Sequence, residues 1–197
     1  MNRKNLLAIK KTATLKNTIL FGLLLLVMGF FIMPEATSQI KQYAHETDII
    51  DGLFYYSPEQ LYDMIAAYGK KGRQLYIAVE LTADLVFSIV IAAFFSSLLI
   101  WSGAKSGNKV IKINYLFFLP ALSMISNWLE NGGIVWMLAR YPEKYFYLAL
   151  ATSFFTFSKW ILLLLCLFIA VWNLLRIIFI KFHFFQNTQE STMADSN

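Results

Sequence analysis

The chain has 197 residues, 58% of them hydrophobic, with a formal net charge of +5. This apolar content excludes an ordinary soluble domain and predicts an integral membrane protein, in which 18 Phe, 10 Tyr and 5 Trp suit lipid-facing surfaces and interfacial belts. The single Cys excludes an intramolecular disulfide. The two His are far apart and the sequence contains no cofactor-binding motif, so we expect no metal site and no cofactor. The basic residues flank apolar segments, which argues against a nucleic-acid partner.

Four apolar segments are each long enough to cross a membrane, for which a helix needs about 20 residues. The fold class is therefore predicted to be all-α, a four-helix transmembrane bundle within residues 18–180. Residues 1–17 read as a basic cytoplasmic arm, and the polar stretch 181–197 reads as a disordered cytoplasmic tail. The four predicted spans lie near residues 18–34, 75–101, 113–139 and 148–175.

The first span is predicted to end at Pro34 and also resembles a signal peptide, with small residues at Ala36-Thr37-Ser38 for cleavage. Its long apolar run and extended basic flank favour a retained signal anchor. Lys and Arg are more abundant on the side of the N-terminus, which favours cytoplasmic N- and C-termini. The basic cluster Lys70-Lys71-Gly72-Arg73 points the other way.

Between the first two spans, residues 57–69 predict a short external amphipathic helix. Ser57 suits the N-cap, Pro58 the first helical position and Gln60 a capping box, and Gly69 can end the helix. We expect this helix to lie on the outer membrane surface or to cap the bundle, either as a packed lid or as a substrate gate. Its apolar face would consist of Leu61, Met64, Ile65 and Tyr68.

The later spans carry polar residues that helical geometry brings to inward faces. Ionisable groups in a bilayer cost about 2.5 to 3.5 kcal/mol each on insertion scales, so they usually pair or serve a function. From a rise of about 1.5 Å per residue, Asp84, Glu130 and Lys159 share one level, so we expect both carboxylates to be partners of Lys159 and Glu80 to open to the external face. The predicted polar cluster is Glu80, Asp84, Asn127, Glu130, Asn131 and Lys159.

Sequence periodicity supports this grouping. In the second span a ridge with four-residue spacing runs from Tyr76 to Ser96, and in the fourth a seven-residue stripe includes Thr152 and Lys159. In the third span, Gly132-Gly133 allows either a close helix approach or a local kink.

Three carboxylates outnumber one ammonium in this cluster, so we expect a protonated carboxylate, a bound cation, an amine-bearing ligand or waters. A binding or transport role for a proton, cation or polar head group follows, with the bilayer and a small polar or lipid ligand as partners. One alternative is an intramembrane enzyme acting on lipid or isoprenoid, with Glu80 or Asp84 as general acid/base and Lys159 stabilising negative charge. Another is a structural or assembly protein whose polar core only sets helix register. The oligomeric state stays open.

One set of motifs lies between residues 56 and 159: Tyr56-Ser57-Pro58-Glu59-Gln60, Tyr68-Gly69, Gly72-Arg73, Tyr76, Glu80-Leu81-Thr82, Asp84 and Asn127-Trp128-Leu129-Glu130-Asn131. This set resembles uncharacterised bacterial four-span membrane proteins. The resemblance implies four helices in a bacterial inner membrane without supplying an activity.

Overall fold

The computed structural model describes residues 13–44, 47–107 and 118–194, with side chains through Phe182. This part of the chain is helical and contains no strand. A short 3₁₀ turn, Ile50–Gly52, lies between the first two helices. The helices are α1 (Leu15–Tyr43), α2 (Pro58–Ala67), α3 (Gly69–Lys105), α4 (Phe118–Arg140) and α5 (Phe146–Ala194).

Three of these helices are long and apolar enough to cross a membrane: α1, α3 and the part of α5 that ends at Phe182. These three helices are compatible with a membrane protein. Helix α4 corresponds to the predicted third span, but its polar residues keep it outside this group. The fourth crossing therefore stays a prediction, and residues 113–117 of that predicted span lie outside the described residues.

Helix α1 continues beyond Pro34, where the sequence predicts the end of the first span. A π turn, Met28–Ile32, precedes the proline, and the Met33 N–H donates to the Met28 carbonyl. Proline lacks an N–H and its ring crowds the carbonyl four residues earlier, which an α-helix does not easily accommodate. Because local π adjustments re-satisfy the backbone around Pro in apolar helices, α1 extends to Tyr43.

The long helices pack antiparallel in chain order. Along α1 and α3, Thr18 Oγ1 lies 2.8 Å from Ser97 Oγ, and Gly72 approaches Tyr43 at the opposite end. Helix α4 packs along α5 so closely that a Cβ on Gly133 would lie 2.1 Å from Thr152 Oγ1. The close approach predicted for the paired glycines is therefore confirmed at Gly133.

Residues 47–68, named here the cap segment, form a core with the ends of the long helices. Ser57 Oγ accepts a hydrogen bond of 3.2 Å from the Gln60 N–H, which caps α2 as its sequence predicts. Leu61, Ile65 and Tyr68 are fully buried. They pack with residues of α3, α4 and α5, and Gly69, with φ of 60°, turns the chain from α2 into α3.

At the other end of the bundle, a smaller core joins Leu99 of α3 to Cys166 and Ala170 of α5. Helix α5 then continues to Ala194, into the segment for which the sequence predicts disorder. Residues 1–12 of the predicted basic arm and residues 195–197 of the predicted tail lie outside the described residues.

Candidate functional site

An ion pair joins α4 to α5 in the middle of the predicted cluster. Lys159 Nζ lies 2.7 Å from Glu130 Oε2, and the two side chains are 8% and 0% exposed. Thr156, three residues before Lys159 and so on the same helical face, donates a 2.8 Å hydrogen bond to Glu130 Oε1. This carboxylate is therefore held by an ammonium and a hydroxyl, and the expected pairing of Lys159 with Glu130 is present.

Asp84 is bound by amides instead of by Lys159, which corrects the sequence-based pairing. Its Oδ2 accepts hydrogen bonds from Asn127 Nδ2 at 2.8 Å and Asn131 Nδ2 at 2.7 Å. Asn127 and Asn131 are four residues apart, so α4 presents both amides to α3 on one face. The Lys159 ammonium, in contrast, turns from α5 towards Glu130 and the cap segment, where it meets the Asp51 carbonyl at 3.0 Å.

Glu80 is buried rather than open to an external face, which is a second correction. The residue is 1% exposed. Within the described chain, neither of its carboxylate oxygens has a hydrogen-bond partner. The physical reason for its burial is the cap segment, which lies over this part of α3 and is held there by a hydrogen bond between Tyr76 and Asp51. Such a carboxylate is costly to bury, because unpaired polar groups lose their hydration without compensation.

Glu80 and Asp84 begin and end a π turn in α3. In an α-helix every fourth residue overshoots a full turn by about 40°, so a row with four-residue spacing drifts around the helix. A π turn takes more residues per turn and offsets part of this drift. The predicted ridge is therefore buried from Tyr76 to Ala92, and beyond it the buried serine is Ser97 instead of the predicted Ser96.

Asp51 is a member of the cluster that sequence reasoning missed. It lies on the 3₁₀ turn of the cap segment and is 8% exposed. Its Oδ1 accepts a 2.9 Å hydrogen bond from the Tyr76 hydroxyl, whose oxygen lies 3.2 Å from the Asp51 N–H. The available signal was an acid within the apolar stretch Ile49-Ile50-Asp51-Gly52-Leu53.

Side chains of α5 hold the backbone of the cap segment. Ser153 Oγ accepts from the Tyr56 N–H at 3.2 Å and donates to the Tyr56 carbonyl at 2.8 Å. Trp160 Nε1 donates to the Leu53 carbonyl at 2.9 Å. Non-helical backbone needs such partners when it is buried in a bundle. Burial also raises the pKa of the Tyr56 phenol well above its usual value, so this group stays a neutral hydroxyl.

The complete cluster places four carboxylates around one ammonium. Glu80 lies within electrostatic range of Asp51, Asp84, Lys159 and Glu130. In the part of the chain that the structure describes, no three His, Cys, Asp or Glu side chains are arranged to hold a metal ion. Every cluster member is at most 8% exposed: Asp51, Glu80, Asp84, Asn127, Glu130, Asn131 and Lys159. The arrangement can therefore hold a small positive charge in an enclosed, acid-rich environment.

Comparison with known proteins assigns no family to the chain. No protein-family model, curated protein or solved structure matches it. The resemblance to four-span membrane proteins consequently stays a prediction.

Proposed function

We propose that the chain is a four-span integral membrane protein of a bacterial cytoplasmic membrane whose buried cluster binds a proton or a small monovalent cation. In this proposal both termini are cytoplasmic and the cap segment faces the external side. The observation that carries the function is Glu80, a buried carboxylate without a hydrogen-bond partner in the described chain. Three more carboxylates and one ammonium surround it, so the site has an excess of negative charge.

The fourth crossing is supported by the two faces of α4. Its polar residues face α3 and α5, whereas Leu122, Ile125, Leu129 and Trp136 are exposed. The helix has 23 residues, and at 1.5 Å per residue it is about 35 Å long, enough to cross a hydrocarbon core. An apolar exposed face with a polar inner face suits a helix that lipid surrounds on one side.

The size of the ligand follows from the enclosure of the site. A polar head group or a lipid substrate needs an opening to the cluster, but the cap segment occupies that end of the bundle. Ca²⁺ and Mg²⁺ generally take six or more oxygen ligands, and among the described residues no three His, Cys, Asp or Glu side chains are arranged to hold a metal ion. A proton and a monovalent cation are the occupants that fit, which disfavours the lipid-enzyme alternative.

A structural core is the second candidate function, and a specific observation favours it. Glu130, Asp84 and Lys159 all have partners, and Lys159 also fixes the cap segment through the Asp51 carbonyl. Such a network can serve only to dock the cap and set helix register. Glu80 separates the two candidates, because a purely structural network gains nothing from an unpaired buried carboxylate.

The test measures whether Glu80 takes up a cation. Infrared spectra of the purified protein in detergent micelles would be recorded over a range of pH, with and without NaCl or KCl. We expect a carboxylic-acid C=O band that changes with pH or salt and is lost in Glu80→Gln. The matched control is Glu59→Gln, which changes an exposed carboxylate on α2 and is expected to keep the band.

Two results would overturn the proposal in favour of the structural core. One is a set of spectra in which folded Glu80→Gln and the unmodified protein are identical at every pH and salt composition. The other is a carboxylic-acid band that never responds to pH, NaCl or KCl.

A further inference from the structure

Asp51 and Glu80 are brought to the same face of α3 by Tyr76. Tyr76 and Glu80 are four residues apart, so their side chains are neighbours on the helix surface. The Tyr76 hydroxyl holds Asp51 Oδ1 at 2.9 Å and lies 3.2 Å from the Asp51 N–H. Asp51 is one of the charged side chains within electrostatic range of Glu80. The acid that sequence reasoning missed is thus a charged neighbour of the acid without a partner.

The other groups near Glu80 are already engaged. Asp84, on the same helix, accepts from two amides of α4. Glu130 on α4 and Lys159 on α5 form the ion pair. Tyr76 on α3 and Tyr56 and Tyr68 of the cap segment complete the titratable groups in electrostatic range. Asp51 is therefore the acid that is best placed to exchange a proton with Glu80.

We propose that the ligand of this site is a proton shared by Glu80 and Asp51, and that Asp51 is the residue through which the proton exchanges with water at the cap end of the bundle. This inference rests on the proposed function and names its ligand. Two neighbouring carboxylates in a poorly solvated site lose their protons in two separate steps, and the last proton is held by the pair rather than by either group alone. Glu80 is buried and its carboxylate oxygens have no hydrogen-bond partner in the described chain, so they are free to bind this proton.

The transfer is balanced with no other reactant. A hydronium ion at the cap surface loses a proton to an Asp51 carboxylate oxygen, where a new O–H bond forms and water leaves. That O–H bond then breaks as a new one forms on a Glu80 oxygen. The pair begins with two negative charges and ends with one, and release follows the same steps in reverse.

The position of Asp51 in the cap segment makes it the entry point. Its neighbour Gly52 is exposed, whereas Ile50 on the other side is fully buried. The 3₁₀ turn therefore places Asp51 at the boundary between surface and interior. Glu80 lies behind it, at the start of the π turn of α3, and is 1% exposed.

The experiment follows proton uptake by the full chain in detergent after a rapid pH jump, using an indicator dye together with the infrared band of Glu80. The variant is Asp51→Asn. The matched control is Asp48→Asn, which alters a carboxylate of the same cap segment that is exposed and paired with Lys41 at 2.7 Å. We expect Asp51→Asn to keep the Glu80 band and to slow proton uptake at least about tenfold, since positioned acid–base groups contribute factors of this size or larger. Asp48→Asn should leave the rate unchanged.

An unchanged rate in Asp51→Asn, with the Glu80 band present, would overturn the relay and leave the proposed function intact. If the Glu80 band disappears when NaCl or KCl is added at constant pH, the ligand of the site is a monovalent metal ion and not a proton. The absence of any responsive Glu80 band in the unmodified protein would instead sink the proposed function itself.

If Asp51→Asn does not fold, Tyr76→Phe gives the same test. This variant keeps the Asp51 carboxyl group but removes the hydroxyl that holds it near Glu80. Slower uptake with the Glu80 band present supports the relay, and uptake at the unmodified rate contradicts it.

Discussion

Glu130 and Glu80 are the same residue type at the same degree of burial, yet their surroundings differ completely. Glu130 is 0% exposed and is met by the Lys159 ammonium and the Thr156 hydroxyl. Glu80 is 1% exposed and has no hydrogen-bond partner in the described chain. Burial alone therefore does not define a functional acid. The carboxylate with partners joins two helices, whereas the one without partners is the residue that binds a positive charge in the proposed function.

The backbones around these two residues differ in the same way. The interface of α4 with α5 is made by regular helices in close contact at Gly133. Glu80 instead lies at the start of a π turn, a local distortion that is frequent at functional sites. We infer that the α4–α5 interface supplies rigidity and that the π turn of α3 supplies the reactive position.

The largest expected effect comes from removing the Lys159 ammonium at the α4–α5 interface, the rigid side of this comparison. Lys159→Met leaves Glu130 buried without its charge partner. Breaking a buried ion pair from one side typically costs about 3 to 5 kcal/mol, and we expect a loss of this size in the free energy of unfolding, measured by denaturant titration in detergent. Lys71→Met, at an exposed lysine of α3, should change it by no more than about 0.5 kcal/mol.

The double variant Lys159→Met/Glu130→Gln should recover part of this loss, because it no longer contains an unpaired carboxylate at that position. If Lys159→Met proves as mild as Lys71→Met, the ion pair does not stabilise the bundle and the contrast between the two glutamates fails.

The paired glycines provide a second and smaller test of the rigid side. A Cβ on Gly133 would lie 2.1 Å from Thr152 Oγ1, whereas a Cβ on Gly132 would meet no atom within 4 Å. Gly133→Ala should therefore lower the free energy of unfolding by about 1 to 3 kcal/mol, the usual cost of overpacking. Gly132→Ala should be neutral or stabilising by up to about 1 kcal/mol, since Ala favours helix over Gly. Equal effects of both changes in denaturant unfolding would contradict a close α4–α5 contact.

What the sequence predicts well here is local in origin. Long apolar runs identify α1, α3 and α5, because the signal lies within each helix. The level shared by Glu130 and Lys159 follows from helix rise alone, and the structure places them 2.7 Å apart. These features do not depend on how the connecting segment packs.

The features that sequence reasoning missed depend on contacts across the fold. The Asp51 carbonyl meets Lys159 over a separation of 108 residues, and no periodicity in a connecting segment reports such docking. The same docking covers Glu80, whose burial was therefore mispredicted. The π turn before Pro34 was missed for a different and local reason, since apolar periodicity assumes a uniform helix. It does not show how the backbone absorbs a proline.

The smallest effect concerns Tyr68 of the cap segment, which lies on the Glu80 side of the comparison and reports on the charge of Asp51. Tyr68 is fully buried and its hydroxyl donates a 2.7 Å hydrogen bond to the Asp48 carbonyl. Burial first, and the negative charge of Asp51 second, raise the pKa of this phenol well above its usual value near 10. A raised pKa in the folded state contributes stability that is fully present below pH 10 and is lost as the pH rises further, because the unfolded chain releases its proton first.

Tyr68→Phe removes this proton linkage, so between pH 10 and 11 its unfolding free energy should fall less steeply, by up to about 1.4 kcal/mol per pH unit. Tyr147→Phe, at a side chain that is 86% exposed, is the control and should keep the original slope. The same slope for Tyr68→Phe and the unmodified chain in denaturant unfolding would contradict this prediction. Tyr68 would then have the same pKa in the folded and the unfolded chain, so neither burial in the cap segment nor the charge of Asp51 would raise it.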